Sequence, residues 1–132
     1  MTLVDSSSWI QALRKTGDES VRQRVHALLS TGEAAWCDLV RLELWNGAPG
    51  EAEKKALRQF DRDLPCLETS REVWDLACEL ARKSRTAGLT VPATDLVIFA
   101  CAQHHGVALE HRDQHFDLLQ RLLAEQSPPA SR

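Results

Sequence analysis

At 132 residues, with 43% hydrophobic and 27% charged side chains and only 6 Gly and 5 Pro, the chain has the size and composition of one globular domain, which excludes collagen-like, low-complexity and disordered readings. Its longest apolar run, Leu96 to Ala102, is far too short to cross a membrane, and the opening Met-Thr-Leu-Val-Asp-Ser lacks the basic start and apolar core of an export signal, so a cytoplasmic protein with no membrane partner is expected. The net charge of −3 argues against an evenly basic surface but not against a local one, because positives gather at Lys54, Lys55, Arg58 and Arg62 and again at Arg82, Lys83 and Arg85.

Leu3 and Val4 form a brief apolar stretch ended by Asp5, which predicts a strand; the serines at 6, 7 and 8 are N-cap candidates for a helix with the stripe Trp9, Ile10 and Leu13. Gly17 and Asp18 interrupt it, and Val21, Val25, Leu28 and Leu29 recur at the spacing of a second helix ending near Gly32. Ala34 to Val40 reads as a short strand or buried connector, and Val40 to Trp45 as a helical stretch that puts Glu43 one turn before Asn46 to Gly50, the strongest turn signal in the chain. Glu51 to Arg62 predicts a polar amphipathic helix with Ala52, Ala56 and Phe60 inward, followed by a short apolar element at Pro65 to Leu67.

Ser70 is placed to cap a helix running through Arg85, with Val73, Trp74, Ala77, Cys78, Leu80 and Ala81 as its inner stripe and Gly88 at its end. Thr94 is the expected N-cap of the apolar helix that reaches the histidines before Gly106, which puts Asp95 in its first turn. Val107 to Leu109 is β-like, Asp113 follows, and Phe116, Leu118, Leu119, Leu122 and Leu123 predict a last helix. The folded domain is therefore placed at 1–125 and a polar, Pro-bearing tail at 126–132. Cys37, Cys66, Cys78 and Cys101 show no CxxC spacing and are expected as reduced, buried thiols. Short apolar strands alternating with helices predict an α/β fold, a parallel sheet covered on both faces, because parallel strands need helical crossovers.

In open parallel sheets, ligands bind beyond the carboxyl ends of the strands, where Asp5 and Asp113 fall. Asp95 at a helix start and Glu43 near a helix end are placed to join them. Unit charges 4 Å apart repel by about 4 kcal/mol at an effective dielectric near 20, so such a pocket must take up protons or a cation. Mg²⁺ or Mn²⁺ suits oxygen ligands, and metal-bound waters aimed at a phosphodiester give nuclease chemistry.

Leu-Val-Asp-Ser-Ser near the start, Pro-Ala-Thr-Asp-Leu-Val-Ile-Phe-Ala at 92–100 and His-Arg-Asp-Gln-His-Phe at 111–116 together resemble the PIN-domain family, and most closely its VapC-type toxin ribonucleases. The resemblance implies a three-layer sandwich with a short parallel sheet flanked by helices. It also implies a Mg²⁺- or Mn²⁺-dependent endoribonuclease that cuts structured RNA such as transfer or ribosomal RNA. A homodimer silenced by a cognate antitoxin comes from the same source. Carried over position by position, the acidic metal site falls on Asp5, Glu43, Asp95 and Asp113, with Ser6 adding a hydroxyl contact and Glu43 binding metal or orienting the attacking water. His111 stands where the family often has Thr or Ser.

Other readings are weaker. His104, His105, His111 and His115 near Cys101 match no zinc spacing, and Ser6 to Ser8 lack the glycine frame of a nucleophile elbow. A phosphoacceptor domain would carry adjacent acids after its first strand and a lysine after its last. Glu110 and Asp117 read as surface charges, and the tryptophans at 9, 36, 45 and 74 as core, with Trp45 the one placed to stack on a base. The alternative from another class is a catalytically silent PIN-fold module that binds RNA or protein.

Overall fold

A computed structural model describes residues 1–126; of the tail expected at 126–132, Gln126 is the last residue of a helix and the rest lies outside the described residues. The elements in chain order are β1 (Thr2–Val4), α1 (Ser6–Leu13), α2 (Glu19–Ser30), β2 (Ala34–Cys37), α3 (Asp38–Gly47), α4 (Glu51–Asp63), β3 (Cys66–Leu67), α5 (Arg71–Thr86), α6 (Ala93–His105), β4 (Ala108–Glu110) and α7 (Gln114–Gln126). The strands form one parallel sheet in the order β3-β2-β1-β4, with Leu3 opposite both Ala35 and Leu109. Successive strand side chains point to opposite faces, yet all four residues of β2 are buried, as are Leu3 and Val4. Both faces of the sheet are therefore covered, as the α/β reading requires.

α6 explains most of the core. It is apolar on every side, and the whole run from Asp95 to Ala102 is buried, the pattern of a helix enclosed by the protein. α5 packs along it, and α3 and α7 meet it from other directions. Gly106 ends it in the left-handed region at φ 65°, accessible to glycine without strain, and turns the chain directly into β4. At the other end of the fold Gly17 closes the α1–α2 connection, where a Cβ would lie 1.9 Å from the Gln11 carbonyl oxygen, so only glycine fits.

Several local expectations are corrected. The N-cap of α1 is Asp5, whose carboxylate accepts from the Ser7 amide, and the serines lie inside the helix. Pro92, not Thr94, precedes α6 as its N-cap; Pro at the boundary has no N–H to leave unpaired. In α4 the buried contact is Leu57 while Ala52 is exposed, because the larger side chain gains more from burial. In α5, Trp74 is 50% exposed and Cys78 is also on the surface; Val73, Ala77, Leu80 and Ser84 form the buried stripe instead. All four cysteines are free, and Cys37 and Cys101 are buried whereas Cys66 and Cys78 are exposed. Among the described residues no helix is long and apolar enough to cross a membrane.

Candidate functional site

The carboxyl ends of β1 and β4 lie side by side, with the Asp5 amide donating to the Glu110 carbonyl at 2.9 Å. Each strand runs into a helix, so acids that follow the strands also stand at helix N-termini. Asp5 caps α1, Asp95 lies in the first turn of α6, and Asp113 precedes α7 with its Oδ1 accepting from the His115 amide at 2.9 Å. The positive ends of these helix dipoles partly offset the negative charge gathered there.

Asp95, Asp113 and His115 converge: each offers one ligand atom, and these atoms lie within 4.8 Å of one another. His115 Nδ1 is 2.8 Å from Asp113 Oδ1 and 3.2 Å from Asp95 Oδ2, yet is aligned as a hydrogen bond to neither. Asp5 and Glu43 stand further out but are coupled to the group by charge. Asp5 is only 3% exposed; its Oδ2 takes the Ser7 amide at 3.0 Å and the Ser7 hydroxyl at 2.6 Å, while Oδ1 is buried without any donor. Ser7 Oγ also accepts from the Arg112 amide at 2.9 Å, tying the loop that carries Asp113 to Asp5.

Crowding shows in the proton affinities. Burial, then the charges of Asp113 and Asp5, push Asp95 up to about 6, and the nearby His115 offsets part of that rise. Burial raises Asp5 as well, against the lowering hydrogen bonds from Ser7, and Asp113 adds to the rise. Glu43 is raised by burial and by Asp5, with the Ser6 hydroxyl at 3.2 Å from Oε1 pulling the other way. Such a pocket binds protons or cations more readily than isolated carboxylates do.

Of the residues singled out from the sequence, Asp95 and Asp113 are thus brought into direct proximity, Asp5 and Glu43 border them, and Ser6 contacts Glu43 rather than the centre of the group. His115 fits no zinc spacing and is missed by sequence reasoning; its position two residues after Asp113, at the start of a helix, is the signal that points to it. His111 plays a different part, its Nδ1 accepting from the Asp113 amide at 3.2 Å. Glu110 is not a free surface charge: its side chain is 12% exposed and accepts from Ser8 Oγ at 3.0 Å and Arg24 Nε at 2.7 Å, pinning α1 and α2 to the end of β4. The basic groups on the helices are partly spent locally, Lys54 and Arg58 on Glu51 and Lys83 on Glu79.

A protein-family profile described as the PIN domain matches residues 2–122. Ribonuclease VapC11 of Mycobacterium tuberculosis is 32% identical over 126 residues, covering 92% of this chain and 93% of its own. Ribonuclease VapC21 of the same species is 33% identical over 101 residues, covering 74% of this chain and 73% of its own. Among solved structures, FitAcB from Neisseria gonorrhoeae superposes with a TM-score of 0.69 at 16% identity over 92% of this chain and 94% of that one. DNA-bound VapBC from Salmonella typhimurium superposes with a TM-score of 0.70 at 17% identity, over 88% and 89%. At those identities the structural likeness speaks for the fold.

Proposed function

The chain belongs to the PIN-domain family, and from that premise we propose that it is a Mg²⁺- or Mn²⁺-dependent endoribonuclease with its nuclease domain at 1–125, the toxin of a type II toxin–antitoxin pair. The observation that carries the reading is the meeting of Asp95, Asp113 and His115 beside two further acids, Asp5 and Glu43, all raised or crowded by one another. Identity of about a third to proteins named VapC ribonucleases supports RNA as substrate, with structured transfer or ribosomal RNA as the expected class. The like-folded FitAcB and VapBC structures support a cognate antitoxin, and a homodimer is part of the same proposal.

The donor set fits a divalent ion: carboxylates on three elements, and a deeply buried Asp5 Oδ1 that no protein donor satisfies. Asp95, Asp113 and Asp5 would hold the ion, with Glu43 at its edge. When bound, the ion supplies charge neutralisation for the scissile phosphate and a more acidic water. Glu43, its Oε1 steadied by Ser6, takes the proton from the attacking water, a role that its raised proton affinity suits. Ser7 holds Asp5 and the Asp113 loop at a fixed separation, so the site is organised before substrate arrives. The buried Asp5 oxygen without a protein donor favours this reading over a catalytically silent module.

The test is cleavage of end-labelled RNA by purified protein stripped with a chelator. Cleavage is expected to vanish on stripping and return with Mg²⁺ or Mn²⁺; cutting that persists in excess chelator, or never appears with either ion, contradicts the proposal.

A further inference from the structure

The acids account for an oxygen site, but they leave His115 unexplained. Its ring sits at the start of α7 with the side chain 30% exposed, and its Nδ1 is buried between two carboxylate oxygens, 2.8 Å from Asp113 Oδ1 and 3.2 Å from Asp95 Oδ2. An ordinary His–Asp pair points one N–H along one oxygen lone pair, whereas here the nitrogen is aligned with neither. Octahedral bonds of about 2.1 Å at right angles put neighbouring donor atoms about 3 Å apart. The two spacings around Nδ1 bracket that value, and the ligand atoms of all three residues lie within 4.8 Å of one another, close enough to share one cation.

His104, His105 and His111 are otherwise engaged. His111 Nδ1 accepts from the Asp113 amide, His105 Nε2 lies 2.8 Å from the Glu68 carbonyl oxygen, and the His104 and His105 rings stack edge to face. Among the described residues, Asp95, Asp113 and His115 are the one group of three metal-capable side chains that converges. A second, independent feature points to a ligand at this place: Asp5 Oδ1, on a residue 3% exposed, is buried beside the same charges with no donor.

We propose that His115 is a nitrogen ligand of the divalent ion, making this a mixed imidazole–carboxylate site that prefers Mn²⁺ to Mg²⁺. The inference rests on the metal-dependent reading above and narrows it. Mg²⁺ is bound through oxygen and keeps its waters, while imidazole is a better donor to transition ions, of which Mn²⁺ is the weakest binder in a series that rises to Cu²⁺. An oxygen-only site would have no comparable reason to discriminate through this residue. The side chain's position at a helix start, partly open to solvent, allows replacement without disturbing the core.

The experiment titrates chelator-stripped protein with Mn²⁺ and with Mg²⁺ by calorimetry, for the wild type, His115→Ala and His115→Gln, the last keeping the size and offering an oxygen. Pulsed electron paramagnetic resonance of the Mn²⁺ form reads nitrogen coupling from a bound imidazole. Wild type is expected to show that coupling and to bind Mn²⁺ more tightly than Mg²⁺. Both variants should lose the coupling and about tenfold or more in Mn²⁺ affinity, with Mg²⁺ affinity changed less, since even outer-shell partners of a metal typically govern 10–100-fold. Mn²⁺ bound without nitrogen coupling, or variants that retain the wild-type Mn²⁺ to Mg²⁺ ratio, overturn the role of His115 and leave the carboxylate site standing. Wild type that binds neither ion overturns both.

Discussion

At the scale of single residues, the chemistry is concentrated in carboxylates that the fold makes uncomfortable. Asp95 is 8% exposed in the first turn of a buried helix and is raised to about 6, and Asp5 and Glu43 are raised beside it. A carboxyl whose folded-state pKa exceeds its unfolded value binds protons more strongly in the native state, so its contribution to stability is present at low pH and is lost as pH rises through the folded pKa. For Asp95 the window runs from its ordinary 3.8 to about 6. In excess chelator the melting temperature is therefore expected to rise as pH is lowered from 7 to 5, and Mn²⁺ at saturation should oppose that trend because the ligands must be deprotonated to bind it. A scanning-fluorimetry series checks this; a metal-free melting temperature that falls over the interval contradicts it. Asp5, Glu43, Asp95 and Asp113 were legible as candidates because strand ends and helix starts can be read locally. His115 was not, since its meaning depends on Asp95, a residue 20 positions away on another helix.

At the scale of elements, periodicity located the helices of the described residues, but it left Ala34 to Val40 open between strand and connector, gave Pro65 to Leu67 only as a short apolar element, and did not always say which side of a helix faced inward. α5 has Trp74 and Cys78 next to the buried positions Val73 and Ala77, and a helix with apolar residues on adjacent positions gives no unique stripe until its neighbour is known. α6 is that neighbour, and it selects Val73, Ala77 and Leu80. Two substitutions separate the faces. Leu57→Ala in α4 removes a fully packed side chain and should cost about 2–5 kcal/mol, whereas Trp74→Ala, at a half-exposed position, should cost about 1 kcal/mol or less. Chemical denaturation checks both, and equal costs would mean that the core boundary drawn through α4 and α5 is misplaced.

At the scale of the whole molecule, the parallel order β3-β2-β1-β4 sets β1 beside β4 and so brings Asp5 and Asp113, from opposite ends of the chain, to neighbouring strand ends, and the placement of α6 adds Asp95. The alternation of short strands and helices was enough to foresee a covered parallel sheet. The side-chain ties that align its end were not foreseeable: Glu110 reaching Ser8 and Arg24, and Ser7 reaching Arg112, span 86 to 105 residues of sequence. They show up only once the strand order is known, because that order decides which loops meet.

The proposed nuclease site requires Asp95 to be an ionised metal ligand rather than only a helix-start carboxylate. Asp95→Asn keeps the shape and removes the charge. With Mn²⁺ or Mg²⁺ present, RNA cleavage by the variant is expected to drop by about 100-fold or more, while its metal-free melting temperature at pH 7 rises as repulsion with Asp113 and Asp5 is relieved. A folded variant that cuts RNA at the wild-type rate would contradict that role for Asp95.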